Sequence, residues 1–208
     1  NEINETITVR GTMPGHKGKI LLDGGHDVTE LTGADNLQKP AGIIRAAEER
    51  AAQVYGTAFA RYLVNGSSGG NLTLLFSFFR EGDSILVERN CHKSVFNGIL
   101  LRKLKPVYLW PAFDAWGNAL PQSAQQVEEA LEHHPEVKGV LLTLPSYKGF
   151  VSDYERIYSV TGKAGVPLLI DAAHGAALAG MEGFEHFYTS CDAMVISAHK
   201  SLTCLNQG

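Results

Sequence analysis

A chain of 208 residues with 44% hydrophobic and 19% charged residues has the length and composition of one large globular domain with a substantial core, which excludes an extended disordered segment. Its formal net charge of -4 at pH 7 gives no broad basic field and argues against nucleic acid as a partner. Three cysteines are too few and too odd in number for a disulfide framework, no stretch approaches the roughly twenty apolar residues of a membrane span, and NEINETITVR lacks the apolar centre of a signal peptide, so a soluble, cytoplasmic protein is expected.

Taken in chain order, RAAEERAAQVYG (45–56) has helical apolar spacing and stops at Gly56. FARYLV (59–64) reads as a short strand, NGSSGGN (65–71) as a polar loop, and LTLLFSFFR (72–80) as a buried helix opened by that loop. SILVERN (84–90) and PVYLWP (106–111) read as strands, and AQQVEEALEHHP (124–135) as an amphipathic helix ended by Pro135. GVLLTLP (139–145) and VPLLIDAAHG (166–175) are continuous apolar runs of strand length separated by the helix-like YERIYSVTGKAG (154–165), and AMVISAHK (193–200) closes the series. No internal repeat or linker divides the chain. Uninterrupted apolar strands alternating with helices predict an α/β fold with a mostly parallel sheet covered on both faces.

In such a sheet ligands collect at the carboxyl ends of the strands. Each predicted strand here finishes in reactive groups: NGSSGGN after FARYLV, Cys91 and His92 after SILVERN, Asp171 and His174 after VPLLI, and Ser197, His199 and Lys200 after MVI. A glycine-rich turn entering a helix, with the hydroxyls of Ser67 and Ser68, suits a phosphate, although it matches neither GxxxxGK[ST] nor GxGxxG. Asp171, directly after an apolar run, needs a cation or good donors, and a protonated ring nitrogen would serve. Lys200 adds an amine able to form an imine with an aldehyde. Phosphate, ring nitrogen and aldehyde together describe pyridoxal 5'-phosphate. Each group also has a purely structural explanation: a flexible turn, a helix cap for Asp171, a turn histidine bonded to backbone for His92, a solvated strand end for Lys200.

Two rival chemistries fit worse. Cys91 and His92 are adjacent in an extended segment and point to opposite sides, so they cannot pair as nucleophile and base. A metal site is not expected, since HExxH and CxxC spacings are missing; His133 and His134 read as surface residues at a helix end.

MPGHKGK (13–19), DVTELTGADNLQKPAGII (27–44), AAQVYG (51–56), NGSSGGN (65–71), GDSILVERNCHKSV (82–95), LTLPSYKGFVSD (142–153), DAAHGA (171–176) and SAHKSL (197–202) resemble, in order along nearly the whole chain, the major domain of the Orn/Lys/Arg decarboxylases. That family has the aspartate-aminotransferase-like fold, fold type I among pyridoxal phosphate enzymes. The resemblance implies a three-layer α/β/α large domain over residues 39–208, incomplete at its C-terminal end, preceded by an N-terminal segment, 1–38, near the active site and a dimer interface. It implies PLP-dependent decarboxylation of arginine, lysine or ornithine to the amine and carbon dioxide, by a homodimer or larger homo-oligomer serving polyamine biosynthesis, with an acid-resistance role left open. The alternatives are another fold type I enzyme, an aminotransferase or aldolase, or a truncated non-catalytic subunit.

By the same resemblance Lys200 carries the cofactor imine, Asp171 binds the pyridine nitrogen and His92 stacks on the ring. Ser67, Ser68, Gly69 and Gly70 hold the phosphate with help from Ser197 and His199, and His174 lies beside the cofactor. His16 and Lys17 approach the site across the dimer interface. The carboxylate that recognises a cationic substrate side chain is left open among Glu30, Asp35 and others. The chain departs from the family pattern at Ala172, where an acidic residue is usual, and at Gly69, where a hydroxyl residue is common. Family members continue well past the lysine, so this chain is expected to be part of a longer enzyme or to have its remainder supplied separately.

Overall fold

A computed structural model describes residues 35–204. Its elements are α1 (Ile43–Tyr55), α2 (Gly66–Phe78), β1 (Ser84–Glu88), α3 (Lys93–Arg102), β2 (Lys105–Leu109), α4 (Ala124–His133), β3 (Val137–Thr143), α5 (Tyr154–Ala164), β4 (Leu168–Ala172), a 3-10 turn (Ala176–Leu178), β5 (Ala193–Ile196) and α6 (Ala198–Ser201). The strands form one five-stranded sheet in the order β2-β1-β3-β4-β5, with every pairing parallel. The predicted α/β fold with a covered parallel sheet is the one observed.

Why these segments become strands is visible in their burial. All residues of β1 and β4 are buried, and β3 is buried except near its ends, as expected for a sheet sandwiched between helical layers. Alternate side chains feed two cores. Leu86, Val140, Leu142, Leu168 and Ile170 pack with Val127, Leu131, Ile157 and Val160 of α4 and α5. Ile85, Val87, Leu141, Leu169 and Val195 pack with Leu74, Leu75, Val95 and Ile99 of α2 and α3. The helix ends follow local chemistry. Ser123 and Gln126 form a capping box at the start of α4, and Gly56 and Gly165 close α1 and α5 in the left-handed conformation.

Two sequence expectations are corrected. FARYLV is not a strand: residues 59–64 are irregular and mostly exposed. The reason is a competing partner, because the buried Glu48 of α1 accepts the Tyr62 backbone N–H at 3.2 Å and pairs with Arg61 at 2.9 Å, anchoring the segment to a helix. NGSSGGN is not a loop ahead of the helix either, since α2 begins at Gly66 rather than at Leu72. Gly70 permits this. A Cβ there would lie 2.6 Å from Val195 Cγ1, so only glycine lets α2 settle this closely on β5.

No helix among the described residues is long and apolar enough to cross a membrane. His16, Lys17 and Glu30 lie outside the described residues.

Candidate active site

With all pairings parallel, the carboxyl ends of β1, β3, β4 and β5 share one edge of the sheet. The chain runs outward from β1 to β2 and then returns to β3 on the other side of β1, so the strand order reverses between β1 and β3. Helical connections diverge at such a point and leave a crevice.

Asp171, on β4, is 2% exposed. It stands in register with Thr143 on one side and Val195 on the other, and Val195 faces α2, so the carboxylate lies on the α2 side of the sheet. There Asn71 Nδ2 donates to Asp171 Oδ2 at 2.7 Å, and the Ala173 N–H donates to Oδ1 at 3.2 Å. A carboxylate has room for about four donors, so two leave capacity on both oxygens for a cationic or N–H partner from the crevice. The backbone bond to Ala173 is the local capping role expected of such an aspartate; the bond to Asn71 is not.

The same Asn71 amide donates to Ser94 Oγ at 2.9 Å, and Ser94 Oγ lies 2.8 Å from His92 Nδ1. His92 caps α3 by accepting the Ser94 N–H at 3.2 Å, so the backbone-bonded histidine is present and is at the same time joined to Asp171 through two side chains. His174 is close enough to Lys200, Asp171 and His92 to feel all three. Burial, then the Lys200 charge, holds its pKa below the ordinary value, with Asp171 opposing. Its ring meets Tyr147 edge-on at 5.7 Å, at the side of an open hollow of about 550 Å3 that Lys148, Leu178, Met181 and Phe184 also line.

At the start of α2 the expected phosphate residues divide into two kinds. Gly69 N–H is already bonded to Asn65 O at 3.2 Å, which leaves the amides of Gly66, Ser67 and Ser68 as the donors unused by the helix. Gly69 and Gly70 instead give shape, since a Cβ at 69 would lie 2.7 Å from Asn65 Cβ. That contact favours glycine at 69 in this chain. Ala172 is fully buried in the core beside α5. Ser197 is fully buried at the end of β5 with Oγ 3.4 Å from His199 Nδ1, and Lys200 follows in α6, its backbone N–H bonded to Ser197 O at 3.3 Å.

Glu88 and Thr143 stand at the carboxyl ends of β1 and β3. Glu88, 4% exposed, accepts the Thr143 N–H at 2.7 Å; burial raises its pKa to about 7, the Thr143 bonds oppose this, and the Asp171 charge adds to the rise. Burial also pushes the Cys91 thiol up to about 12, which removes it as a nucleophile. Asp35 is engaged elsewhere, its carboxylate accepting the N–H groups of Ala41, Gly42 and Ile44 at the start of α1, which hold its pKa well below the usual range. Among the described residues no group of three His, Cys, Asp or Glu side chains is placed to hold a metal ion.

Asn71, Ser94, Glu88 and Thr143 were not singled out from the sequence. Weak signals existed: Asn71 is the last letter of NGSSGGN, Ser94 follows His92 by two, and Glu88 is a charge ending an otherwise apolar strand.

The parallel sheet, its two helical layers and this rim define the large domain of an aspartate-aminotransferase-like, fold type I protein. The chain belongs to the Orn/Lys/Arg decarboxylase family: the model of that family's major domain matches residues 18–207. It is 40% identical over 210 residues to the uncharacterized protein YaaO of Bacillus subtilis, covering 94% of this chain and 44% of that protein. It is 35% identical over 175 residues to an arginine decarboxylase of Bacillus cereus, covering 78% of this chain and 38% of that protein. In fold it resembles the constitutive lysine decarboxylase of Escherichia coli, with TM-score 0.69 and 23% identity over 85% of this chain and 27% of that one. The chain thus spans less than half the length of these relatives.

Proposed function

We propose that the chain is the cofactor-binding large domain, residues 39–208 after an N-terminal segment 1–38, of a pyridoxal-phosphate-dependent decarboxylase acting on arginine, lysine or ornithine. Family membership and relatives named arginine and lysine decarboxylases support the reaction class. The observation that carries the reading is the buried Asp171 carboxylate at the carboxyl end of β4, oriented by Asn71 and with unused acceptor capacity.

The residues present suit the cofactor. Gly66, Ser67 and Ser68 offer amides and hydroxyls at the positive end of α2 for the phosphate, with Ser197 and His199 assigned to assist. Asp171 holds a proton at the ring nitrogen, His92 is the flat side chain assigned to the ring, and Lys200 is the amine that anchors the aldehyde. When bound, pyridoxal phosphate supplies an electron sink for the charge left on the substrate as carbon dioxide departs. At an effective dielectric near 20 a close ion pair gives roughly 4 kcal/mol of Coulomb energy before desolvation, so Asp171 is strong enough to keep that proton in place. Burial, then the Lys200 charge, hold the His174 pKa below its ordinary value, which disfavours a competing positive charge there.

The test is borohydride reduction of the complete protein followed by intact mass measurement, then incubation with arginine, lysine and ornithine. A cofactor adduct that disappears in Lys200→Ala, with amine and carbon dioxide from one basic amino acid, is expected. No adduct, or a keto acid as product, would overturn the reading.

A further inference from the structure

Both amide protons of Asn71 are committed, one to Asp171 Oδ2 at 2.7 Å and one to Ser94 Oγ at 2.9 Å. The opposite amide orientation would turn a carbonyl oxygen toward a carboxylate, so the acceptors fix which atom is nitrogen. Ser94 Oγ keeps its own hydrogen to donate and lies 2.8 Å from His92 Nδ1. The Ser94 backbone N–H donates to the same Nδ1 at a longer 3.2 Å, so the two donors together favour the ring proton on Nε2. Asn71 is 1% exposed, and its Oδ1 is buried with no partner among the described residues. Leaving a buried acceptor unpaired is costly, so the side chain is held by what it donates.

We propose that Asn71 is a positioning residue that locks two members of the site with one side chain. It orients the Asp171 carboxylate directly, and through Ser94 it reinforces the backbone cap in holding His92 as the Nε2–H tautomer in a single ring orientation. The carboxylate assigned to the ring nitrogen and the imidazole assigned to the ring face are then set by a common support, 100 residues apart in sequence in the case of Asn71 and Asp171. The part concerning the cofactor rests on the function proposed above; the tautomer of His92 does not.

The experiment uses the complete protein with 15N-labelled histidine and no added cofactor. In the parent, His92 Nδ1 gives the signal of an unprotonated acceptor; in Asn71→Ala, which does not touch the imidazole, that signal moves toward a mixture of tautomers. A protonated Nδ1 in the parent, or a His92 signal indifferent to Asn71→Ala, would overturn the proposal. Should Asn71→Ala fold poorly, Ser94→Ala interrupts the same relay while keeping the backbone cap on His92, and its Nδ1 signal is expected to move likewise; an unmoved signal counts against the proposal. With pyridoxal phosphate added, both variants are expected to bind it about tenfold more weakly, from the loss of a charge-assisted hydrogen bond or its support, and to show altered visible circular dichroism per bound cofactor. A parent that takes up no cofactor defeats the proposed function but leaves the tautomer result to decide this inference.

Discussion

Glu88 Oε2 accepts the backbone N–H of Thr143 at 2.7 Å, tying the carboxyl ends of β1 and β3 together where the strand order reverses. Burial raises the Glu88 pKa from 4.5 to about 7, so the folded state takes up a proton that the unfolded chain has released. A raised carboxyl pKa contributes stability that is complete below 4.5 and is lost as pH rises through about 7. The full difference corresponds to at most about 3 kcal/mol. Glu88→Gln should remove this dependence. Urea unfolding at about pH 5 and about pH 8 is expected to show the parent losing stability relative to Glu88→Gln at the higher pH; parallel losses in the two proteins would show that Glu88 does not titrate as described.

Asp171→Asn keeps the shape of the side chain and removes the charge. With roughly 4 kcal/mol of Coulomb energy at stake before desolvation, kcat of the complete enzyme should fall about 100- to 1,000-fold while KM changes little. Steady-state amine release checks this. A loss confined to KM would mean that the carboxylate serves binding rather than chemistry.

Gly70→Ala places a methyl group 2.6 Å from Val195 Cγ1 and 3.0 Å from Leu63 Cδ1. Both contacts lie between α2 and its surroundings, and relieving them requires α2 to move away from β5. Overpacking of this kind costs about 1–3 kcal/mol, which for a domain of this size lowers the melting temperature by roughly 2–12 °C. Calorimetry of Gly70→Ala beside Gly82→Ala controls for glycine loss, since a Cβ at Gly82 meets nothing within 4 Å although its φ of +87° adds strain of its own. Equal melting temperatures for Gly70→Ala and the parent would remove the close-approach argument.

Cys91 is buried and Cys191 half-buried, and desolvation pushes both thiols up to about 12. Neither should react with an aromatic disulfide reagent in the native protein near neutral pH, and both should react once it is unfolded in urea. Peptide mapping after brief labelling identifies the sites. Rapid native labelling of Cys91 would reopen the thiol chemistry that its burial now excludes.

The site residues legible in the sequence are those whose chemistry is carried by one segment. Asp171 and Lys200 stand at the ends of apolar runs, and a parallel sheet sends all such ends to one edge, so VPLLID and MVISAHK were enough to bring them to a common rim. The partners that orient them were not legible. Asn71 meets Asp171, and Glu88 meets Thr143 across 55 residues, only because α2 settles on β5 and β3 inserts beside β1.

What the sequence determined alone is therefore the alternation of apolar strands and helices, the family, and the list of reactive groups, all of which follow from local residue pattern. Tertiary structure decided the rest. FARYLV lost its strand because Glu48 captured the Tyr62 amide, α2 started early because Gly70 allowed contact with Val195, and the pKa of Glu88 rose because the fold withdrew it from water. Hydrogen-bond partners and desolvation are properties of what packs against a residue, and a linear string carries neither until the chain has closed around it.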